Sequence, residues 1–377
     1  MFDRRVFLKT LAWLAAAPSL AAHAGEREMT DAAAQLYRKA IVIDGNLQLA
    51  NDPAEPLSSE AQAGIRASGL TVFKMTIGGS GGNYADTLKE LDDCRGMIAR
   101  YPELFMPIRR ATDIALAKRS GRIGIIFSFE AVEMLQSNLD RIDEFSQLGV
   151  RVMQLSYNLA SPFASGVLAP RASRGLTTLG HAAIAEMNAQ GVSIDLSHAD
   201  VMSTLQAVHA SSRPVLITHG GCAAVHPHPR NKIDAELRAV AGSGGVVGIY
   251  GLPYLTAGPA QQTLADYMAH MLHALAVCGE DHVGIGSDAV LTGFDTSPQN
   301  MAFYDQVVAA RKAAGIGAPG EERPPYVMGL NRADRCEIIA DALLRHGYPA
   351  RIAEKVLGTN FARVFADTWV AQTKDQA

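Results

Sequence analysis

The sequence has few cysteines, and none of them are spaced as metal ligands. Only four occur among 377 residues, and no two form a CxxC or CxxxC pair. A cysteine-based zinc site uses such pairs, so the spacing argues against one. Scattered cysteines can pair as disulfide bonds in an oxidising compartment, although buried free thiols are the commoner outcome. The four are Cys94, Cys222, Cys278 and Cys336.

An excess of basic charge is also missing. The formal net charge is −4, and no basic stripe or RNA-binding aromatic pattern occurs, so no nucleic-acid partner is expected. Charged residues make up 19% of the chain and hydrophobic residues 48%. This balance is ordinary for a compact soluble enzyme and excludes a mainly disordered protein.

Long hydrophobic runs are absent except near the N-terminus. A twin-arginine motif in residues 3–9 precedes an apolar run in residues 11–22, and an Ala-His-Ala sequence ends at Ala24. The run is shorter than the ~20 residues that cross a bilayer. The small-residue end indicates cleavage near Ala24, with an uncleaved membrane anchor as the alternative.

These features predict export to the periplasm. Residues 1–24 are expected to be a signal peptide that the twin-arginine (Tat) export machinery recognises. Residues 25–377 are expected to form a single domain, because no internal repeat or linker divides them.

Short apolar runs alternate with longer amphipathic segments after the signal. Most runs are continuously apolar, which is typical of parallel strands covered on both faces. Repeated strand–helix alternation predicts an α/β fold, a (β/α)8 TIM barrel. A doubly wound sheet is the alternative, but no glycine-rich phosphate loop follows Asp44. The eight strand candidates are residues 41–44, 71–77, 123–129, 150–156, 192–197, 215–218, 246–250 and 283–287.

Helical periodicity fills several of the intervals between these strands. The clearest segments are residues 84–100, 179–190, 201–209, 234–241 and 263–277. Residues 292–332, rich in proline and glycine, are expected to include a surface excursion near the barrel mouth.

Four polar residues stand at equivalent places, directly after predicted strands: Glu130, His198, His219 and Asp288. Catalytic groups of such barrels lie at the carboxyl ends of the strands. One histidine there is most often structural, but four such residues indicate a common site. Two imidazoles and a carboxylate match catalytic zinc, which activates water as a nucleophile. Asp288 is the predicted catalytic proton acceptor.

Other polar residues give weaker signals. His226 and His228 are expected to lie in a solvated turn. Arg230, taken alone, is expected in a surface salt bridge, although an arginine near the mouth is able to grip a carboxylate bidentately. Four histidines fall within helical patterns and are expected at the surface: His209, His270, His273 and His346.

An ordered series of motifs resembles the membrane dipeptidase (renal dipeptidase-like, peptidase M19) family over residues 41–369. The resemblance implies a barrel of the metal-dependent hydrolase type that cleaves dipeptides with two zinc ions, often with a D-residue at the C-terminal side. The matching segments are residues 149–151, 154–158, 174–177, 195–198, 218–219, 228–231, 244–248, 284–288 and 358–363.

The resemblance also implies roles for single residues. Glu130 would be the carboxylate that bridges two metals, and His198 and His219 would hold the second metal. Arg230 and Asp288 would contact substrate, with Asp288 also near the catalytic water. Tyr157 would contact substrate from a position where many animal members carry a histidine.

The first strand departs from the family pattern. The family's Asp-Gly-His-x-Asp reads here Asp-Gly-Asn-Leu-Gln, so Asn46 and Gln48 replace two ligands of the first metal. Neutral amide oxygens are poor zinc ligands. The segment after Asp288 and residues 159–163 also differ from the family. One zinc ion is therefore expected, with the second weakly held or absent.

The leading hypothesis is an exported metallodipeptidase that acts on a dipeptide-like small molecule. One alternative is a catalytically silent dipeptidase-like barrel that binds a small peptide-like ligand. Another is a one-metal amidohydrolase that acts on a different amide or ester. The sequence leaves the assembly open, with a homodimer as one option.

Overall fold

The computed structural model describes residues 29–79, 81–169 and 173–370. The twin-arginine motif, the apolar run after it and the cleavage site expected near Ala24 lie outside these residues. Within them, no helix combines the length and the apolar character needed to cross a membrane.

Eight parallel strands form a closed barrel. Their order is β1, β3, β5, β6, β7, β8, β10 and β11, and β11 pairs with β1 to complete the ring, with Asp44 beside Ile285. The eight strands predicted from the sequence each fall on one of these, so the predicted fold is confirmed. The strands are β1 Ile43–Asp44, β2 Leu47–Gln48, β3 Val72–Thr76, β4 Phe105–Pro107, β5 Ile123–Phe129, β6 Val150–Gln154, β7 Ser193–Asp195, β8 Leu216–Cys222, β9 Asn231–Lys232, β10 Val246–Ile249, β11 Val283–Ile285 and β12 Ala289–Val290.

Helices surround the barrel and cover its outer face. The five helices predicted from periodicity are present with ends shifted by a residue at most. The helices are α1 Asp31–Lys39, α2 Ser59–Ala67, α3 Tyr84–Arg100, α4 Ala111–Ser120, α5 Asp140–Gln147, α6 Thr178–Gln190, α7 Val201–Ala210, α8 Asp234–Gly242, α9 Leu264–Cys278, α10 Pro298–Ala313, α11 Arg335–Arg345, α12 Ala350–Glu354 and α13 Asn360–Thr368.

An aromatic side chain from α13 closes the floor of the barrel. Phe361 packs in one buried cluster with aliphatic side chains of the strands, including Val72 and Val246. A Cβ atom added at Gly45 would lie 2.6 Å from Phe361 Cζ, and one at Gly284 would lie 2.5 Å from Phe361 Cε2. Glycine is therefore required at both positions, because any side chain would clash with this ring.

Residues 292–332 lie over the mouth and include α10, a helix that the sequence did not predict. The guanidinium carbon of Arg311 on this helix is 5.9 Å from the centroid of the Tyr157 ring. Beyond the helix, the Ile316 carbonyl accepts a hydrogen bond of 2.9 Å from Asn158 Nδ2. The expected surface excursion near the mouth is thus present.

The four cysteines are free and buried. Among the four histidines expected at the surface within helices, one is fully buried instead. His209 and His346 are exposed, as expected. His270 is instead fully buried: its Nδ1 accepts from the Cys222 amide at 2.8 Å, and its Nε2 donates to the Leu255 carbonyl at 2.8 Å. The surface prediction was wrong for His270 because both ring nitrogens find backbone partners in the interior.

Candidate metal centre

Three side chains converge at the carboxyl ends of β5, β7 and β8. Glu130 follows β5, His198 lies in the turn after β7, and His219 lies within β8, which continues three residues beyond it. One potential ligand atom from each lies within 4.8 Å of the other two. The Nε2 atoms of the two histidines are 3.0 Å apart, and His219 Nε2 is 4.0 Å from Glu130 Oε1.

The amide of Asn158 fixes the protonation of His198. Asn158 Nδ2 donates to the Ile316 carbonyl, so Asn158 Oδ1 is the atom that faces His198 Nδ1 at 2.7 Å. An amide oxygen only accepts, and His198 Nδ1 must therefore carry the proton. The lone pair of neutral His198 is consequently on Nε2, which faces His219.

A carboxylate relay does the same for His219. The hydroxyl of Thr218 donates to Asp195 Oδ2, so its oxygen accepts from His219 Nδ1 at 3.0 Å. Such a partner on the outer nitrogen is the usual way that proteins set the tautomer and orientation of a metal-binding histidine. His219 therefore also directs an Nε2 lone pair inward.

Two acceptor nitrogens thus face one another beside a carboxylate. Burial, followed by the charge of Arg230, lowers the pKa of both His198 and His219 well below the usual range, which keeps the rings neutral. Two lone pairs 3.0 Å apart repel unless a positive group lies between or beside them. Two neutral imidazoles and a carboxylate are the donor set that catalytic zinc takes, so these residues fit one zinc-type ion.

Arg230 supplies a positive group at this point and is 2% exposed. Its Nη1 donates to the Ser197 carbonyl at 2.6 Å, and its Nη2 lies 3.1 Å from His198 Nε2. The sequence expectation of a surface salt bridge was wrong, because acceptors from the turn after β7 draw the guanidinium into the mouth.

Among the polar loop residues, His228 also departs from the expected solvated turn, since its ring stacks on the ring of Tyr254 with centroids 4.4 Å apart.

Tyr157 covers His198 from the side of β6. The two rings are stacked, with centroids 4.1 Å apart and planes at 23°, and burial raises the pKa of the tyrosine. In the same segment, the side-chain amide of Gln154 and the hydroxyl of Ser156 are buried, and neither has a hydrogen-bond partner among the described residues. The sequence placed both in a family motif but assigned them no role. Buried polar groups normally have a partner, which makes these two candidates for contact with substrate or water.

Asp288 is held apart from the three-residue cluster by the first strand. The chain pairs Asp44 with Ile285 and then Leu47 with Ala289, so β11 and β12 enclose one residue more than β1 and β2. The extra residue forms a bulge, and Asp288 adopts a left-handed φ of 50° there. Aspartate tolerates this conformation better than most residues. The bulge turns the carboxylate toward Asn46, whose Nδ2 donates to Asp288 Oδ1 at 2.8 Å.

Asn46 also contacts Glu130 and a buried lysine. Its Nδ2 donates to Glu130 Oε1 at 3.0 Å, and its Oδ1 accepts from Lys74 Nζ at 2.9 Å. Sequence reasoning missed Lys74 because it stands within an apolar strand. The signal was present: in a strand, Lys74 shares a face with Val72, which packs beside Phe361 inside the barrel.

The first-strand side does not fit a second divalent ion. Asn46 presents N–H hydrogens, not a lone pair, to Glu130 and Asp288, and an ammonium group stands behind it. The β2 residue Gln48 contributes at best a neutral amide oxygen. Among the described residues, the Glu130, His198 and His219 cluster fits one ion.

Comparisons with known proteins agree with this architecture. The sequence profile of the membrane dipeptidase family (peptidase family M19) matches residues 31–310. An uncharacterised dipeptidase of Schizosaccharomyces pombe is 32% identical over 228 residues, which cover 59% of this chain and 54% of that protein. Dipeptidase tcpJ of Claviceps purpurea is 28% identical over 254 residues, which cover 65% of this chain and 58% of that protein. The match thus spans little more than half the length of these two relatives.

Among solved structures, an amidohydrolase from Pseudomonas aeruginosa is similar over most of its length. It is 27% identical with a TM-score of 0.77, and the alignment covers 89% of this chain and 99% of that one. The similarity therefore extends over most of the fold.

Proposed function

The chain belongs to the membrane dipeptidase family, peptidase family M19, and we propose that it is an exported zinc-dependent dipeptidase that hydrolyses the amide bond of dipeptides. One observation carries the proposal. His198 and His219 direct two Nε2 lone pairs at one point beside Glu130, and their outer nitrogens are committed to Asn158 and Thr218. This arrangement is costly for a structural core and suits a bound cation.

Glu130, His198 and His219 would hold a single zinc ion. An ion in such a site supplies Lewis acidity that activates water and polarises a carbonyl at neutral pH. The protein prepares the site in advance, because the partners of the two histidines fix both tautomers. A divalent ion would also take over the lone pair of His198 to which Arg230 now donates.

Arg230, released from His198, would grip the carboxylate at the end of a dipeptide. Its planar fork matches a carboxylate bidentately, and its burial strengthens that pairing. Tyr157 would form the adjacent wall. Asp288 would accept the proton of the attacking water and transfer it to the leaving amine, since its carboxylate adjoins the centre and lies outside the group of three metal-binding side chains.

Export through the twin-arginine route completes the proposal. It rests on the motif in residues 3–9 and on the Ala-His-Ala end at Ala24. Replacing both arginines with lysine should trap the protein in the cytoplasm with residues 1–24 attached. Fractionation of cells expressing the two forms, followed by mass spectrometry, tests this expectation, and unchanged export of the variant would refute it.

The first-strand residues favour a second candidate function. With Asn46 and Gln48 in place of two metal ligands, the barrel would bind a peptide-like ligand without turning it over, or would act on another amide or ester with one metal. Metal analysis separates the silent barrel from the enzymes, because a silent barrel has no need of zinc.

The experiment is zinc analysis of the purified chain, followed by a screen of L,L- and L,D-dipeptides. We expect about one zinc per chain and hydrolysis of at least one dipeptide. His198→Ala should lose both, and His209→Ala, at an exposed histidine on α7, is the matched control. Undiminished turnover in His198→Ala would rule out the proposed centre.

A further inference from the structure

Lys74 is a lysine inside the barrel. It occupies the middle of β3, is fully buried and donates from Nζ to Asn46 Oδ1 at 2.9 Å and to Ser128 Oγ at 3.1 Å. Removing an ammonium group from water costs free energy that only negative or strongly polar neighbours offset. A lysine at the centre of a barrel therefore indicates that its surroundings need a positive charge.

The orientation of the Asn46 side chain shows which groups need the positive charge of Lys74. Its Oδ1 faces two donors, Lys74 Nζ and Thr76 Oγ1, the latter at 3.2 Å, while its Nδ2 faces the carboxylates of Glu130 and Asp288. Lysine donates only and carboxylates accept only, so the amide has one acceptable orientation. Asn46 thus links an ammonium group to two carboxylates.

Those carboxylates adjoin the side of the mouth where the family pattern would place a first metal. A divalent ion is unsuited to this side, because Asn46 offers it hydrogens and Gln48 offers it no charge. The same carboxylates still require compensation, since the buried Glu130 and the partly buried Asp288 share one amide donor and repel one another where the dielectric constant is low.

We propose that Lys74 acts as a built-in cation that replaces the first metal ion, and that Lys74 and Asn46 together restrict this chain to one metal. The proposal rests on the proposed function for the single ion at Glu130, His198 and His219, and it identifies the group that substitutes for the other ion. Lys74 and Asn46 are positioning residues: they hold Glu130 and Asp288 in place and exclude a second ion by charge repulsion.

The test rebuilds the family's ligands with and without the lysine. The double variant Asn46→His/Gln48→Asp keeps Lys74, and the triple variant adds Lys74→Met, which has a similar length and no charge. Zinc per chain is measured by inductively coupled plasma mass spectrometry after equilibrium dialysis. We expect about one zinc in the wild type, no additional ion in the double variant and one additional ion in the triple variant. A gain in the double variant, or no gain in the triple variant, would overturn the proposal.

Circular dichroism establishes that the variants are folded. If the triple variant does not fold, Lys74→Gln takes the place of Lys74→Met beside the two rebuilt ligands, because a glutamine side chain keeps a hydrogen-bond donor without the charge. Loss of the ammonium group should then admit a second, weaker ion when Mn²⁺ is titrated to concentrations at which the wild type gains none. Absence of that second ion would overturn the proposal.

The design separates this proposal from the proposed function. Zinc-free wild-type protein would refute the single metal centre, while the difference between the double and triple variants would still test Lys74. Conversely, a zinc-loaded, active wild type whose double variant gains an ion would refute only the role of Lys74.

Discussion

His198, just after β7, and His219, within β8, turn lone pairs toward one point beside Glu130. Between β1 and β2, by contrast, the side chain of Asn46 accepts from Lys74 and turns N–H groups toward the same carboxylate. Glu130 is thus shared by an acceptor-rich side and a donor-rich side. In our proposals the first side takes a cation from solution, and the second carries one within the chain. A single barrel scaffold can therefore balance the charge of its mouth by a bound ion or by a side chain.

The strongest way to break this comparison is to remove one residue from each side. His219→Ala should reduce bound zinc from about one per chain to none and abolish dipeptide hydrolysis, because two remaining ligands hold zinc poorly. Asn46→Ala should keep the zinc, since Asn46 is not a ligand, even if turnover falls. Zinc analysis of both folded variants gives the answer. Equal zinc loss in the two would show that the sides are not distinct.

A smaller effect is expected when the support of a histidine is removed. Thr218→Val deletes the hydroxyl that accepts from His219 Nδ1 and leaves the tautomer unspecified. Loss of such a partner lowers metal affinity by about 10–100-fold. Competition with a zinc chelator measures the change. Thr87→Val is the control, because that hydroxyl, on α3, donates to the Asn83 carbonyl just before the helix, outside the cluster. An unchanged affinity in Thr218→Val would contradict the relay from Asp195.

The smallest effect concerns the carboxyl group of Glu133, in the turn after β5, which belongs to neither the histidine side nor the Asn46 side of the mouth. Burial raises the pKa of Glu133 to about 7, and its Oε2 has no hydrogen-bond partner among the described residues. The folded state keeps the Glu133 carboxyl protonated up to about pH 7, whereas the unfolded chain releases this proton from pH 4.5 upward. The stability that the protonated form provides is therefore lost as the pH rises from 4.5 toward 7.

Glu133→Gln should abolish that loss. At pH 8 the variant should exceed the wild type in free energy of unfolding by about 1–2 kcal/mol, with little difference at pH 5. Urea unfolding at the two pH values measures it. The exposed Glu103→Gln variant is the control. A variant no more stable than wild type at pH 8 would show that Glu133 is compensated in the folded state.

The barrel was predictable because its strands are continuously apolar runs such as residues 123–129 and 283–287, and burial on both faces leaves that trace in any parallel strand. The convergence of Glu130, His198 and His219 followed from one geometric rule, that parallel strands of a barrel end on the same side. The strands and the three-residue cluster could both be predicted because each depends on residues within, or directly after, a single strand.

Contacts between distant segments were not predictable in this way. Arg230 is buried because the Ser197 carbonyl and His198 accept its hydrogen bonds. No pattern in the sequence near Arg230 indicates these contacts. His270 is buried for a similar reason. Asn46 was recognised as a replaced ligand, but its partner Lys74 comes 28 residues later on another strand. The helix α10 was missed because its surroundings are rich in proline and glycine.

Phe361 has a consequence for the order in which the molecule is made. The ribosome synthesises Gly45 early and Phe361 late, yet the two are in contact in the floor of the barrel. The ring itself closes only when β11 pairs with β1, again joining distant parts of the chain. Contacts of such sequence separation form slowly. A growing chain therefore exposes the strand edges of an open barrel until β11 has been made, and its floor stays unfilled until Phe361 follows.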